Sequence, residues 1–479
     1  MTVRVTFVEP PKDPWFPMGE YIPPPFGILC LAAYLEREVD GVQLGVVDSQ
    51  AEGLDWEGVR RRIEATSPDI VAPAGLSTCN SGLALRVAAI AKELDPETRT
   101  ILGGQHFTAL ADETLRMFPN VDAIARGEGE QTLAEFVEAV GSGRPLSDIQ
   151  GLSYKEGESI RHCPERLLIG DLDSLPHPAY HLVEEHMKGY YFALMAEEDT
   201  PFAIVEGSRG CGHDCSYCTQ WRFWRSRQRT KSPARVADEM ERLHERYGSR
   251  FFWLTDDDVA LGDWTRSLCG ELIDRGLHED ITWFCQARCD NIVANRGLLP
   301  LLRKAGNVWM LVGFDTPHAE VLKGFRRYGV NEETSKGAVD LLRENGIFSQ
   351  GTFIIGERHD TRESIRKTLE YADWLNPDIA TFMTLTPFPG SEIYETAKKN
   401  GWIESDDWAD YDMIHAVMST GHLTVEEVQE ELYNCYRSFF GSRTRRYSAM
   451  FSSNPLTKRT YRYMAKRAIL ANMKALFGV

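Results

Sequence analysis

The stretch that decides the fold runs Phe202-Ala203-Ile204-Val205-Glu206-Gly207-Ser208-Arg209-Gly210-Cys211-Gly212-His213-Asp214-Cys215-Ser216-Tyr217-Cys218. It starts as a short apolar strand and passes directly into a glycine-rich loop carrying three thiols within eight residues. Thiols this close converge on one metal centre, and soft thiolates select an iron-sulfur cluster or zinc. A closed zinc site needs a fourth ligand, which His213 supplies, so the residues alone leave both readings open.

Downstream, the apolar runs continue as Phe251 to Thr255, Ile281 to Ala287, Val308 to Gly313, Phe348 to Ile355 and Ile379 to Leu385. Helical patterns separate them. Ser232-Pro233 offers an N-cap with proline at the first helical position, after which Val236, Met240 and Leu243 share one face. Six strand-helix units predict a six-stranded parallel sheet curled into an incomplete barrel, with its functional residues at the C-terminal strand ends. Cys285 and Cys289 read as parts of an apolar strand on one face and are discounted as metal ligands.

Upstream, strands at Val3 to Val8, Gln43 to Asp48, Asp69 to Ala74, Thr100 to Gly103 and Asp122 to Arg126 alternate with helices. The helices fall at Phe26 to Glu38, Trp56 to Ala65, Gly82 to Leu94, Asp112 to Phe118 and Thr132 to Val140. This alternation predicts an α/β fold, a doubly wound parallel sheet that binds ligands where its strands end. The less regular Leu152 to Thr200, with Pro164, Pro176 and Pro178, reads as a linker. The expected divisions are therefore a doubly wound domain at 1–145, a linker at 146–200, a partial (β/α)6 barrel at 201–395 and a small helical region with a basic tail at 396–479.

A length of 479 residues suits such a multidomain chain, and 43% hydrophobic with 26% charged residues are globular values. Neither a run of apolar residues long enough to span a membrane nor a leader-like start is read, so a cytoplasmic protein with reduced cysteines is expected. A net charge of -18 argues against nucleic acid as a partner. The charge is uneven: Ser442 to Val479 carries nine Lys or Arg and no acid, leaving -27 on the rest. That tail is expected either to contact an anionic membrane surface or to pack as a basic helix on the acidic body.

Cys211, Cys215 and Cys218, with Tyr217 before the last cysteine, resemble the signature of the radical S-adenosylmethionine (SAM) superfamily. The resemblance implies a 4Fe-4S cluster on the three cysteines and SAM on the fourth iron, cleaved to a 5'-deoxyadenosyl radical that abstracts hydrogen from carbon. It also implies a flavodoxin or ferredoxin as electron donor. Asp256-Asp257-Asp258, otherwise a solvated acidic turn, stands where the family sets polar groups against the SAM amino group. Arg288, otherwise a rim salt bridge, stands where a guanidinium fork meets the SAM carboxylate. Phe353-Ile354-Ile355-Gly356 resembles the strand along the adenine, although the continuation Glu357-Arg358-His359-Asp360-Thr361 departs from the family pattern. Thr386-Pro387-Phe388-Pro389-Gly390-Ser391 matches a turn of cobalamin-binding members.

Leu102-Gly103-Gly104-Gln105-His106 and Arg126-Gly127-Glu128-Gly129-Glu130, with Ser77-Thr78 at an earlier strand end, resemble the cobalamin-binding half of such enzymes. The glycines would admit the corrin, and Ser77 and Thr78 would bond its amides. No DxHxxG loop follows the first strand, where the chain reads Glu9-Pro10-Pro11-Lys12-Asp13-Pro14; Asp48-Ser49-Gln50-Ala51-Glu52-Gly53 has glutamine for the histidine. The expectation is that no protein histidine ligates cobalt and that His106 is a loop residue near the corrin.

Thr219-Gln220-Trp221-Arg222-Phe223-Trp224-Arg225 either lines a substrate cavity or seals the barrel base. This stretch, the helix spacing and the Arg443-Thr444-Arg445-Arg446 tail most resemble the anaerobic magnesium-protoporphyrin monomethyl ester cyclase group, which closes a ring oxidatively on a tetrapyrrole side chain. The Pro387-Phe388-Pro389-Gly390-Ser391 turn is closer to C-methylating members. The expected activity is methyl transfer from methylcobalamin to a small-molecule substrate, a tetrapyrrole or another hydrophobic metabolite. Oxidative cyclisation, a cobalamin and iron-sulfur sensor, and a structural zinc protein are the alternatives.

Overall fold

The computed structural model describes residues 2–12, 21–75, 77–193 and 200–477, with side chains as far as Arg467. Met1, Asp13-Pro14, the end of the expected linker and the last residues of the basic tail lie outside the described residues.

Strands β1 (Val3–Glu9), β2 (Val42–Asp48), β3 (Ile70–Pro73), β4 (Arg99–Gly103) and β5 (Ala123–Ala125) form a parallel sheet ordered β2-β1-β3-β4-β5. Its order reverses between β1 and β3, which opens a crevice at their C-terminal ends. Helices Phe26–Glu38 and Glu130–Ser142 cover Val5 and Phe7 on one face. Trp56–Thr66 and Ser81–Leu94 cover Val8, Val47 and Val71 on the other. Two more strands, β6 (Leu152–Glu156) and β7 (Ser159–His162), extend the β5 edge in antiparallel fashion. The stretch expected as a linker therefore begins inside the sheet. It escaped notice because edge strand β7, mostly exposed, carries Ser159, Arg161 and His162 and has no apolar run to read.

Strands β8 (Phe202–Val205), β9 (Phe251–Leu254), β10 (Thr282–Arg288), β11 (Asn307–Asp315), β12 (Phe348–Ile355) and β13 (Ile379–Thr384) pair in sequential order, all parallel. Alternate residues face opposite ways, as the pleat requires. Ala203, Val205, Phe252, Leu254, Cys285 and Val312 pack under the helices. Phe202, Ile204, Phe251, Phe284, Trp309 and Phe348 form a separate aromatic cluster on the other face. Phe192 shows that this face is concave. Its ring centroid lies 5.9 Å from Phe202, 6.5 Å from Phe251, 5.9 Å from Phe284 and 5.5 Å from Trp309, residues of four successive strands. Flat strands about 4.8 Å apart would put the outer two beyond reach of one ring.

Phe202, Phe251 and Phe348 begin their strands, so the cluster fills the barrel's N-terminal end. Ala449 and Tyr461, from helices Arg443–Met450 and Pro455–Phe477, complete this floor. Arg445 bonds Asp373 and Asn376 on the barrel. The described part of the basic tail thus packs on the acidic body, leaving Tyr447 and Phe451 exposed at 67% and 65%. Among the described residues no helix is long and apolar enough to cross a membrane. Cys289 does not share the strand of Cys285 but begins the helix Cys289–Ala294, because Arg288 ends β10.

Candidate functional site

The cysteine loop leaves the C-terminal end of β8, opposite the aromatic floor. Gly210 turns it with φ of +89°, and a Cβ there would stand 2.2 Å from the Arg227 carbonyl oxygen, so only glycine fits. Asp256, fully buried at the end of β9, anchors the loop: one oxygen accepts the Gly207 and Ser208 N–H groups at 2.8 and 2.9 Å, the other the Ser208 hydroxyl at 2.7 Å. This corrects its expected place. Asp256 lies beneath the loop with both oxygens engaged, and is neither a solvated turn residue nor free to meet SAM.

Cys211, Cys215 and Cys218 are free thiols. Burial pushes Cys211 up to about 11 and Cys218 to about 12, so a metal is needed to hold both as thiolates. The Gln220 N–H donates to Cys218 Sγ at 3.4 Å. Ser216 and the backbone of Phe325 and Gly324 fasten the loop across the barrel mouth. Tyr217 points its hydroxyl at Asp315 and meets the Phe325 ring edge to face at 4.9 Å. Asp315 is itself strained, with φ of +58°, and is held by Arg327 at 2.5 Å.

Asp257 faces Trp224 and the Gly210 amide, and burial pushes it up to about 6. Asp258, likewise pushed up to about 6 by burial, accepts the Arg288 N–H and the Asn291 amide. The ligand atoms of Cys211, His213 and Asp258 lie within 4.8 Å of one another. Arg288 is buried, with its fork on Asp290 at 3.0 and 2.9 Å and one nitrogen also on the Tyr328 carbonyl; the other terminal nitrogen is buried without a partner. That unspent donor, beside the cysteine loop, fits the carboxylate of SAM. Gly356 has φ of +80°, and its close neighbour is Val428 of helix Val425–Gly441, where a Cβ would meet Cγ1 at 3.0 Å; Asp360 caps its N–H.

At the strand ends of the N-terminal sheet, Ser77 is exposed and Thr78 buried in a short turn of helix. Gly103 ends β4 beside the Ala125 carbonyl, and Gly104 begins the helix Gln105–Ala109. His106 is therefore not in a loop. It is buried in that helix, in edge contact with Phe107 and Trp408, and burial lowers it to about 4. Gln105 bonds Thr219 and Gln220, just past Cys218. Gly127 donates its N–H to Thr108, and a side chain at Gly129 would press on Leu31. Glu128 accepts from Arg209, Arg229 and the Ile169 N–H, while Glu130 meets Arg209 at 2.7 Å. These glutamates thus face the cysteine loop, not an open crevice. Buried and unpartnered Ser49 Oγ, Ser81 Oγ and His106 Nδ1 at the same strand ends leave polar capacity that fits a large amide-bearing ligand such as the corrin. Gln50 bonds the Lys12 carbonyl.

Trp221 to Arg225 do not seal the base. Trp221 bonds the Cys215 carbonyl, Arg222 bonds the Gly390 carbonyl, and Arg326 lies over the Trp221 ring, all at the cysteine end. The Pro387 to Ser391 turn sits there too, Gly390 lying against Ala109 of the N-terminal domain. Sequence reasoning missed Arg209, Glu206, Asp315, Arg327, Ser49, Ser81 and Trp408. Arg209 and Glu206, in the stretch that runs into Cys211, and Ser49, in the Asp48 to Gly53 loop, carried a signal in their neighbourhood.

A profile of the radical SAM superfamily matches residues 205–372, and one of the B12 binding domain matches residues 19–137. The chain is 32% identical over 419 residues to an uncharacterized methyltransferase of Pyrococcus horikoshii, spanning 87% of this chain and 88% of that protein. It is also 32% identical over 447 residues to the anaerobic magnesium-protoporphyrin IX monomethyl ester cyclase of Rubrivivax gelatinosus, spanning 91% of this chain and 76% of that one. The fold matches the radical SAM methyltransferase TsrM of Kitasatospora setae, solved with cobalamin and a 4Fe-4S cluster, at a TM-score of 0.69 and 19% identity over 91% of this chain and 89% of that one. It matches the cobalamin-dependent enzyme OxsB, solved with aqua-cobalamin and SAM, at 0.74 and 17% over 97% and 71%.

Proposed function

The chain belongs to the cobalamin-dependent radical SAM enzymes, and from that premise we propose that it methylates a carbon atom of a small hydrophobic metabolite. Its cofactors are a 4Fe-4S cluster, SAM and cobalamin. When bound, the cluster and SAM supply the 5'-deoxyadenosyl radical, and cobalamin supplies the methyl group. The proposed balance takes one substrate C–H, two SAM and two electrons to one C–CH3, S-adenosylhomocysteine, methionine and 5'-deoxyadenosine. A flavodoxin or ferredoxin is the proposed electron donor.

Cys211, Cys215 and Cys218 would hold the cluster, and the free Arg288 nitrogen the SAM carboxylate. Asp256 keeps the loop in place. The observation that carries the reading is the hydrogen bonding of Gln105 to Thr219 and Gln220. It sets the cobalamin domain's strand ends against the cluster loop, so that a radical made on one side and a methyl group held on the other share one space. The Pyrococcus methyltransferase, which matches nearly end to end, supports the same outcome.

Oxidative cyclisation of a tetrapyrrole side chain is the second reading, favoured by the similarity to the Rubrivivax cyclase. Anaerobic incubation of reconstituted protein with SAM, reductant, methylcobalamin and candidate metabolites separates the two. Methyl transfer yields a product heavier by one methylene with S-adenosylhomocysteine. Cyclisation yields a product that has lost hydrogens and gained oxygen, without S-adenosylhomocysteine. If Cys211→Ala still makes 5'-deoxyadenosine, the radical mechanism is wrong.

A further inference from the structure

Arg209 is 7% exposed, and its guanidinium is fully spent on three carboxylates: Glu206 at 3.0 Å from its own strand end, and Glu128 at 2.9 Å and Glu130 at 2.7 Å from the N-terminal domain. The surrounding network adds Arg229 on Glu128, and Lys231 and Arg235 on Glu239. Four cations thus meet four carboxylates, all largely buried. Removing one partner from such a set strands a buried charge, so the geometry is held strongly. Glu128 spends its remaining capacity on the Ile169 N–H.

The other end of the cysteine loop is held from the same domain. Gln105 accepts the Thr219 hydroxyl at 3.0 Å and donates to Gln220 Oε1 at 2.6 Å. Gln220 in turn donates its backbone N–H to Cys218 Sγ. Hydrogen bonds to ligand sulfurs set the reduction potential of iron-sulfur clusters.

We infer that Glu128, Glu130 and Gln105, on the two glycine turns of the N-terminal domain, are positioning residues for the iron-sulfur loop. They clamp it before Cys211 and after Cys218, so that the docking of the cobalamin domain sets the geometry and potential of the cluster. Glu128, Glu130 and Gln105 thus serve the neighbouring cofactor, while His106 Nδ1, next to Gln105 in the chain, stays available to the corrin. Whatever moves Gly127 to Glu130 or Gly104 to His106 moves the cluster loop, and by linkage the reverse holds for binding. The inference rests on the cofactor assignment and is independent of whether the product is methylated or cyclised.

The test uses the full chain, anaerobically reconstituted, with Glu130→Gln, Gln105→Ala and Thr219→Val. Three readouts are taken: the electron paramagnetic resonance spectrum of the reduced cluster, its midpoint potential, and cobalamin affinity by equilibrium dialysis. The expected result is a changed spectrum and potential in all three variants, with cobalamin affinity within about twofold of wild type. Thr219→Val, on the cluster side, is expected to reproduce Gln105→Ala. Should Glu130→Gln fail to fold, the Gln105 and Thr219 pair still decides. Wild-type spectra and potentials in that pair overturn the inference, as does a cobalamin affinity weakened about tenfold with an unchanged spectrum. These readouts need no turnover, so the absence of 5'-deoxyadenosine from wild-type protein would count against the proposed reaction and not against the clamp.

Discussion

Asp256 accepts the Ser208 hydroxyl at 2.7 Å while receiving two backbone N–H groups of the same loop, so one carboxylate ties the end of β9 to the start of the cysteine loop. Asp256→Ala leaves three buried donors without an acceptor and is expected to cost about 2–3 kcal/mol. Urea unfolding of the apoprotein reads the loss, and iron content after reconstitution should fall by more than half. Wild-type iron loading in the variant would show that the tether is dispensable.

The same group gives the apoprotein a pH signature. Burial outweighs its three donors and pushes Asp256 from 3.8 up to about 7. Between those values the folded state keeps a proton that the unfolded chain has lost. Its contribution is complete below about pH 4 and disappears as pH rises through about 7. Stability measured across this range should decline less in Asp256→Asn than in wild type; equal slopes would refute the assignment.

His106 acts in the opposite sense. Desolvation lowers it from 6.5 to about 4, so protonation favours the unfolded chain. Its contribution is present above pH 6.5 and is lost as pH falls towards 4. His106→Phe, which keeps the ring against Phe107 and Trp408, should remove this part of the acid sensitivity. An unchanged acid limb in thermal melts would argue against a buried neutral imidazole.

Gly210→Ala forces a side chain into the left-handed region and against the Arg227 carbonyl. A loss of about 2 kcal/mol or more is expected. Because Gly210 precedes Cys211, the 4Fe-4S absorption of reconstituted protein should fall with it. Full cluster absorption would mean that the loop can turn another way.

Phe192→Ala empties the centre of the aromatic floor and should cost about 3–5 kcal/mol. A loss below 1 kcal/mol, on the order of a surface change, would show that the strands do not curl around this ring.

Much of this was legible in the sequence, for physical reasons. All four residues of β8, Phe202-Ala203-Ile204-Val205, are buried and apolar, so it reads as an unbroken apolar run, and Ser232 with Pro233 marks a helix start by chemistry that needs no neighbours. The cysteines declare a metal centre by their spacing, and their resemblance to the radical SAM signature chooses the cluster over zinc. What stayed hidden depends on partners far along the chain. Glu130 and Arg209 are 79 positions apart, and Trp408 reaches His106 from the C-terminal third. A glutamate in a glycine turn looks the same whether it meets a ligand or an arginine, and Asp256 looks like a surface acid until the strand register buries it.

Phe192 also dictates traffic. With the floor filled by rings from four strands and by the tail, the N-terminal end of the barrel is closed among the described residues, and the cysteine loop stands at the opposite end. Under the proposed reaction, substrate and SAM would approach, and methionine and 5'-deoxyadenosine would leave, at that cysteine end, so that each turnover would wait on the departure of the last.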